Sequence, residues 1–149
     1  MKKYILITVG LLILGVAYWL ISPLFISEKV SEKLEDIAPV APEASETTAR
    51  GQFQGLANHN AKGTANLLKI EDKYYVRFED DFEITNGPDL FVHFGKDGQY
   101  DDDARLAALK GNVGGQNYEV PANLDPTEYN EIWVWCRAFS VPFGKAVLQ

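Results

Sequence analysis

The sequence predicts an all-β fold, a β-sandwich of short antiparallel strands, preceded by a single transmembrane helix and a flexible linker. Three observations carry this prediction. Residues 50–149 break into short β-branched and aromatic runs punctuated by Gly, Pro, Asn and Asp. Tyr4–Ser27 carries no charged residue, whereas Lys2 and Lys3 stand just ahead of it. The stretch APVAPEASETT at 38–48 has no aromatic residue and little to bury. The chain therefore divides into residues 1–27 as an N-terminal signal anchor, 28–49 as a juxtamembrane helix and linker, and 50–149 as the β-domain.

The uncharged run is long enough for a hydrocarbon core of roughly 30 Å. It lacks an A-x-A-like cleavage site, so it reads as an uncleaved anchor with the C-terminal domain extracytoplasmic. Pro23 falls near the expected helix exit. Glu28–Asp36 alternates acids and lysines and is expected to prolong the helix through i,i+3 to i,i+5 contacts. In the β-domain, strands are expected at 51–55, 62–70 and 74–78, the last two joined by a turn at Glu71-Asp72-Lys73. Phe82–Ile84 and Leu90–Phe94 flank the turn Asn86-Gly87-Pro88-Asp89. Lys96–Asp103 reads as a polar loop. Strands 105–110 and 117–120 surround the glycine-rich 111–115. Asp125-Pro126-Thr127-Glu128 has an N-cap, a first-turn proline and a capping acid, so one helical turn is expected. Strands 131–139 and 143–148 close the domain.

Net charge is −7, which repels phosphate backbones and argues against nucleic acid as a partner. The single cysteine, Cys136, excludes an internal disulfide framework, C-x-x-C redox pairs and cysteine-rich zinc sites. Nucleophile-elbow, P-loop, dinucleotide and H-E-x-x-H motifs are absent from the sequence.

Cys136 lies in the most apolar strand. Alternation places Ile132, Val134, Cys136 and Ala138 on one face and Trp133, Trp135, Arg137 and Phe139 on the other. A thiol there can exchange disulfides, be oxidised, or ligate iron; equally, it can be a small buried hydrophobe. His59 and His93 are the only histidines and are candidate ligands beside Cys136 at a cofactor. The blue-copper pattern is missing, because no histidine follows Cys136 and Met1 is the only methionine. Asp97, Asp101, Asp102 and Asp103 form an acidic loop without EF-hand spacing, so no metal site is assigned. Trp133, Trp135 and Tyr118 are an electron relay, a stacking surface for a ligand, or core, with Arg137 stacking on Trp135.

Several pieces in order resemble the DM-thirteen domain, an electron-transfer-type module related to the DOMON superfamily. These are His59 with Gly63-Thr64, RFEDDF ending at Phe82, Asn86-Gly87-Pro88-Asp89-Leu90, Gln116-Asn117-Tyr118 with Pro121, Trp135-Cys136, and Phe143-Gly144-Lys145-Ala146. The resemblance covers about Gly51 to Leu148. It implies an extracytoplasmic β-sandwich whose redox role rests on the cysteine aligned with Cys136, as a bare thiol or as a ligand to a prosthetic group such as haem. Two functions stand side by side. One is a membrane-anchored redox module working with a redox partner protein. The other is a non-catalytic binding or adhesion module with a structural cysteine.

Overall fold

The computed structural model describes residues 2–21, 26–38 and 45–149. Helix α1 spans Lys2–Ile21. Among the described residues no helix is long and apolar enough to cross a membrane. Lys2 and Lys3 use the first two positions of α1, which leaves about 27 Å of uncharged helix at about 1.5 Å a residue, short of a hydrocarbon core of roughly 30 Å. The expected span of 4–27 is thus not reproduced as a helix, and its exit at Pro23 lies outside the described residues. The β-domain contains ten strands: β1 Ser45–Gly55, β2 Ala61–Lys62, β3 Thr64–Ile70, β4 Lys73–Phe78, β5 Glu83–Ile84, β6 Leu90–Lys96, β7 Gln99–Ala108, β8 Gln116–Glu119, β9 Glu131–Cys136 and β10 Val141–Val147.

Eight strands form one antiparallel sheet in the order β7-β6-β9-β10-β1-β3-β4-β8, and β2 pairs with β5. The sheet curls on itself because β1 serves both halves. Its Ser45–Gln52 part pairs with β3, and its Phe53–Gly55 end pairs with β10. Edge strands β7 and β8 come together across the fold. The result is a sandwich-like shell around one apolar core, in which Phe53, Phe78 and Phe82 meet edge-on or tilted at 4.6–5.0 Å between centroids. Face-to-face packing of two half-sheets buries alternate side chains from each, here Val76 and Phe78 from β4 against Val92, Phe94, Ile132 and Val134 from β6 and β9.

Several elements differ from the sequence expectation. β1 begins six residues earlier than expected, inside the region taken as linker; residues 39–44 of that linker lie outside the described residues. The expected strand 62–70 is interrupted at Gly63, where φ is +103°. The expected polar loop 96–103 is mostly a hairpin: Asp97 and Gly98 both adopt positive φ, +52° and +89°, the requirement of a tight two-residue turn that Asp-Gly meets cheaply. β9 ends at Cys136, so Ala138 and Phe139 stand exposed in a turn rather than on a strand, and Phe139 is 66% exposed.

The segment expected to prolong the helix is extended instead. Residues 28–33 run alongside 113–117: Val30 N–H donates to Val113 O at 2.9 Å, Glu32 N–H to Gly115 O at 3.0 Å, and Val113 N–H to Glu28 O at 3.3 Å. A single 3₁₀ turn, Leu34–Asp36, follows. Glycine is needed at 114, where φ is +93° and any side chain would run into the Val30 carbonyl. The Glu32 carboxylate takes both Lys110 Nζ, at 2.8 and 2.9 Å, and Asn117 N–H, at 2.8 Å. These tertiary bonds outweigh the weak helix-surface pairs that the charge pattern offered.

Candidate functional site

Cys136 is the last residue of β9, a strand flanked by β6 and β10. Its cross-strand neighbours are Leu90 on β6 and Val141 on β10. The thiol is free, fully buried at 0% exposure, and part of the apolar core. It nevertheless lies at the rim of that core, because residues 137–140 immediately after it are exposed. Ser140 closes that turn with φ of +52°, a conformation uncommon outside glycine and asparagine.

Arg137 locks this end of the strand. Its backbone N–H donates to Asp89 O at 3.0 Å, and its guanidinium reaches both Asp89 carboxylate oxygens at 2.9 and 3.2 Å. The turn that carries Asp89 is set locally by Asn86, whose side-chain oxygen accepts from Gly87 N–H at 3.0 Å. Arg137 also lies 4.6 Å from the centroid of the Phe91 ring; Trp135, its expected partner, stacks on Tyr100 at 3.9 Å instead.

His93 is separated from the sulfur by the sheet itself, and His59 is packed on an aromatic ring. His93 is registered with Trp133 and so points to the outer face, opposite Cys136. Its Nδ1 lies 3.1 Å from Asp101 O; a carbonyl only accepts, so Nδ1 carries the proton. Burial lowers the His93 pKa, the Asp101 carbonyl working against that. His59 stacks flat on Phe143 at 3.6 Å. No group of three or more His, Cys, Asp or Glu among the described residues is arranged to hold a metal. Three open clefts, of about 520, 520 and 600 Å³, are lined by neither Cys136, His59 nor His93. A haem needs an axial ligand facing a slot wide enough for the macrocycle. A sulfur sealed in apolar core with an imidazole on the far side of its own sheet does not fit that group.

The outer face of β9 holds a feature the sequence reading missed. Glu131 is only 4% exposed. Its carboxylate takes Lys145 Nζ at 2.6 Å, Trp133 Nε1–H at 3.0 Å and Gly98 N–H at 3.0 Å. Burial pushes its pKa up, but these three donors outweigh it and hold the carboxyl below the usual range. Tyr118, taken with the two tryptophans as a relay, lies on β8 in the other half of the sheet. Its hydroxyl donates to Gln116 at 2.6 Å, and burial drives its pKa well up. Asp101 serves its neighbours as well: its carboxylate accepts from Tyr129 O–H at 3.2 Å and from Asp103 N–H at 2.9 Å.

The electron-transfer DM13 family model matches residues 52–148. The chain belongs to the DM13 family. The match takes in Cys136, His59 and His93 together with the Asn86–Leu90 turn and every strand from β2 to β10. A search of curated proteins and a search of solved structures gave no match. The DM13 assignment makes an electron-transfer-related module the coarse functional class, and the expected resemblance is met over nearly the same span.

Proposed function

We propose that this DM13 domain is held outside a membrane by its N-terminal segment and transfers electrons through Cys136 acting as a bare thiol. The observation that carries the reading is the placement of the chain's only cysteine within the family match, at the rim of the core and one residue from an exposed turn. Local opening of that turn, without global unfolding, brings the sulfur to a partner. The thiolate attacks one sulfur of a partner disulfide. One S–S bond forms, one breaks, and the released thiolate takes up the proton that Cys136 gave away. A second partner thiol then attacks the partner's sulfur in the mixed disulfide; a new S–S bond forms between them, Cys136 leaves and is reprotonated, and the two electrons have passed from that thiol to the first disulfide.

The tether rests on the uncharged sequence from Tyr4 to Ser27 and on the apolar side chains of Leu11, Leu12, Ile13 and Leu14, all exposed on α1 among the described residues. Crossing needs the whole uncharged run from Tyr4 to Ser27, beyond the described α1; for that span Lys2 and Lys3 favour the N-terminus inside and the domain extracytoplasmic. Kinship with the DOMON superfamily is in keeping with a curled antiparallel shell.

Incubating the full chain with a low-molecular-weight disulfide tests this. Mass spectrometry is expected to find one adduct under native conditions and none on Cys136→Ser. The complete burial of the sulfur favours a second reading, a binding module with a structural cysteine. An adduct that forms only in denaturant would decide for that reading.

A further inference from the structure

The extended segment 26–38 runs the length of the shell along its β8 edge. At one end Asn86 Nδ2–H donates to Ile26 O at 2.6 Å, beside the turn that Arg137 clasps through Asp89. At the other end Ile37 lies in a cleft with Tyr75 and Glu119, and β1 begins at Ser45 beside Ile70. The polypeptide thus enters the domain at the Cys136 end. Ile26 is five residues beyond Ile21, and an extended chain advances at most about 3.6 Å per residue, so the end of α1 lies within about 18 Å of that entry point. The Glu71-Asp72 turn is one β3 length further away, about 24 Å at about 3.4 Å per residue.

Exposed apolar side chains mark the Cys136 end, whereas both ends carry exposed acids. At the Cys136 end Lys62 pairs with Glu83 and Arg137 with Asp89, and Glu28, Asp80 and Asp81 are exposed there as well. Exposed Phe139, Ile26 and Pro88 stand among them. The far end likewise carries exposed acids, Glu71, Asp72, Asp97, Asp125 and Glu128, with Lys69, Lys73 and Lys96 exposed beside its turns.

From this we infer that the Cys136 end faces the bilayer and that its 137–140 turn, led by Phe139, is a lipid-contact surface, with segment 26–38 as the strap that fixes the orientation. The inference rests on the tether proposed above. It places the exchange partner of Cys136 at the membrane surface rather than in the bulk phase.

Fluorophores attached to Ala138→Cys or Asp72→Cys, each in a Cys136→Ser background of the full chain, test it. The chains are bound to vesicles of phosphatidylcholine and phosphatidylglycerol containing a nitroxide-labelled lipid. Quenching at position 138 is expected to exceed that at position 72 several-fold. Phe139→Ser reduces the quenching at 138. Gly114→Val, which drives a side chain into the Val30 carbonyl, shrinks the contrast between the two positions, and Glu32→Ala, which leaves the loop intact, shrinks it less. Equal quenching at the two positions on vesicle-bound chain overturns the orientation and leaves the tether standing. A chain that does not sediment with the vesicles overturns the tether and this inference with it. A contrast indifferent to both strap variants overturns the role of the strap.

Discussion

The two faces of β9 solve the same packing problem in different ways. The inner face, Ile132, Val134 and Cys136, is apolar and fully buried, so its stability is a matter of volume. The outer face, Glu131, Trp133 and Trp135, mixes rings with a buried carboxylate whose donors come from Lys145, Trp133 and Gly98, so its stability is a matter of polar satisfaction. One strand alternates between the two regimes at every residue. A thiol on the inner face is protected by packing alone; were it on the outer face, it would stand among hydrogen-bond donors that stabilise a thiolate.

Substitutions sharpen that contrast. Ile132→Ala, on the inner face, is expected to cost about 3–4 kcal/mol, read from the urea midpoint, because a side chain with no exposure leaves a cavity. Glu131→Gln, on the outer face, strands the Lys145 ammonium. Lys145 keeps some contact with water, so the loss is expected near about 2–3 kcal/mol, below the range for a fully sealed pair. The same variant alters the acid limb. Because the folded Glu131 pKa is depressed, its contribution is present above the unfolded value and is lost as pH falls through the folded one; Glu131→Gln flattens that part of the stability curve.

At Cys136 the comparison can be broken directly. Cys136→Ala is expected to cost about 1 kcal/mol and Cys136→Ser about 1–3 kcal/mol, since a hydroxyl on the apolar face finds no partner. Equal losses would mean that the inner face is wetter than its packing implies. The smallest effect belongs to His93. Its folded pKa is lowered by burial, so the unfolded chain takes up a proton first, and stability is lost as pH falls from about 6.5. A thermal-melt series between neutral and mildly acidic pH detects the slope, and His93→Phe removes it.

β9 was legible because strict alternation over six residues has one interpretation, and residues 132, 134 and 136 share the core face as read. The 97–98 hairpin was obscured by its neighbours. Four aspartates within 97–103 look like solvated loop, and the Asp97-Gly98 pair that makes the turn is the signal among them. Segment 28–38 could not be read locally at all. Its i,i+3 to i,i+5 charge spacing is helical, but Glu32 is held by Lys110 and Asn117, about eighty residues away in sequence, and only tertiary structure brings them together. The buried Glu131 is of the same kind, since two of its three donors lie on other strands or turns. Cys136 was identified as the centre of interest from composition and resemblance, whereas its depth and its separation from His93 follow from sheet register.

The rate at which Cys136 reacts with an excess of aromatic disulfide under native conditions tests the central claim most directly, measured in wild type and in Arg137→Ala. That variant removes an ion pair exposed to solvent and is expected to change global stability by about 1 kcal/mol or less. If the sulfur is a redox group released by opening the 137–140 turn, the reaction accelerates several-fold more than the stability change accounts for. A rate that tracks global unfolding in both proteins would contradict the account and leave Cys136 as a packing residue.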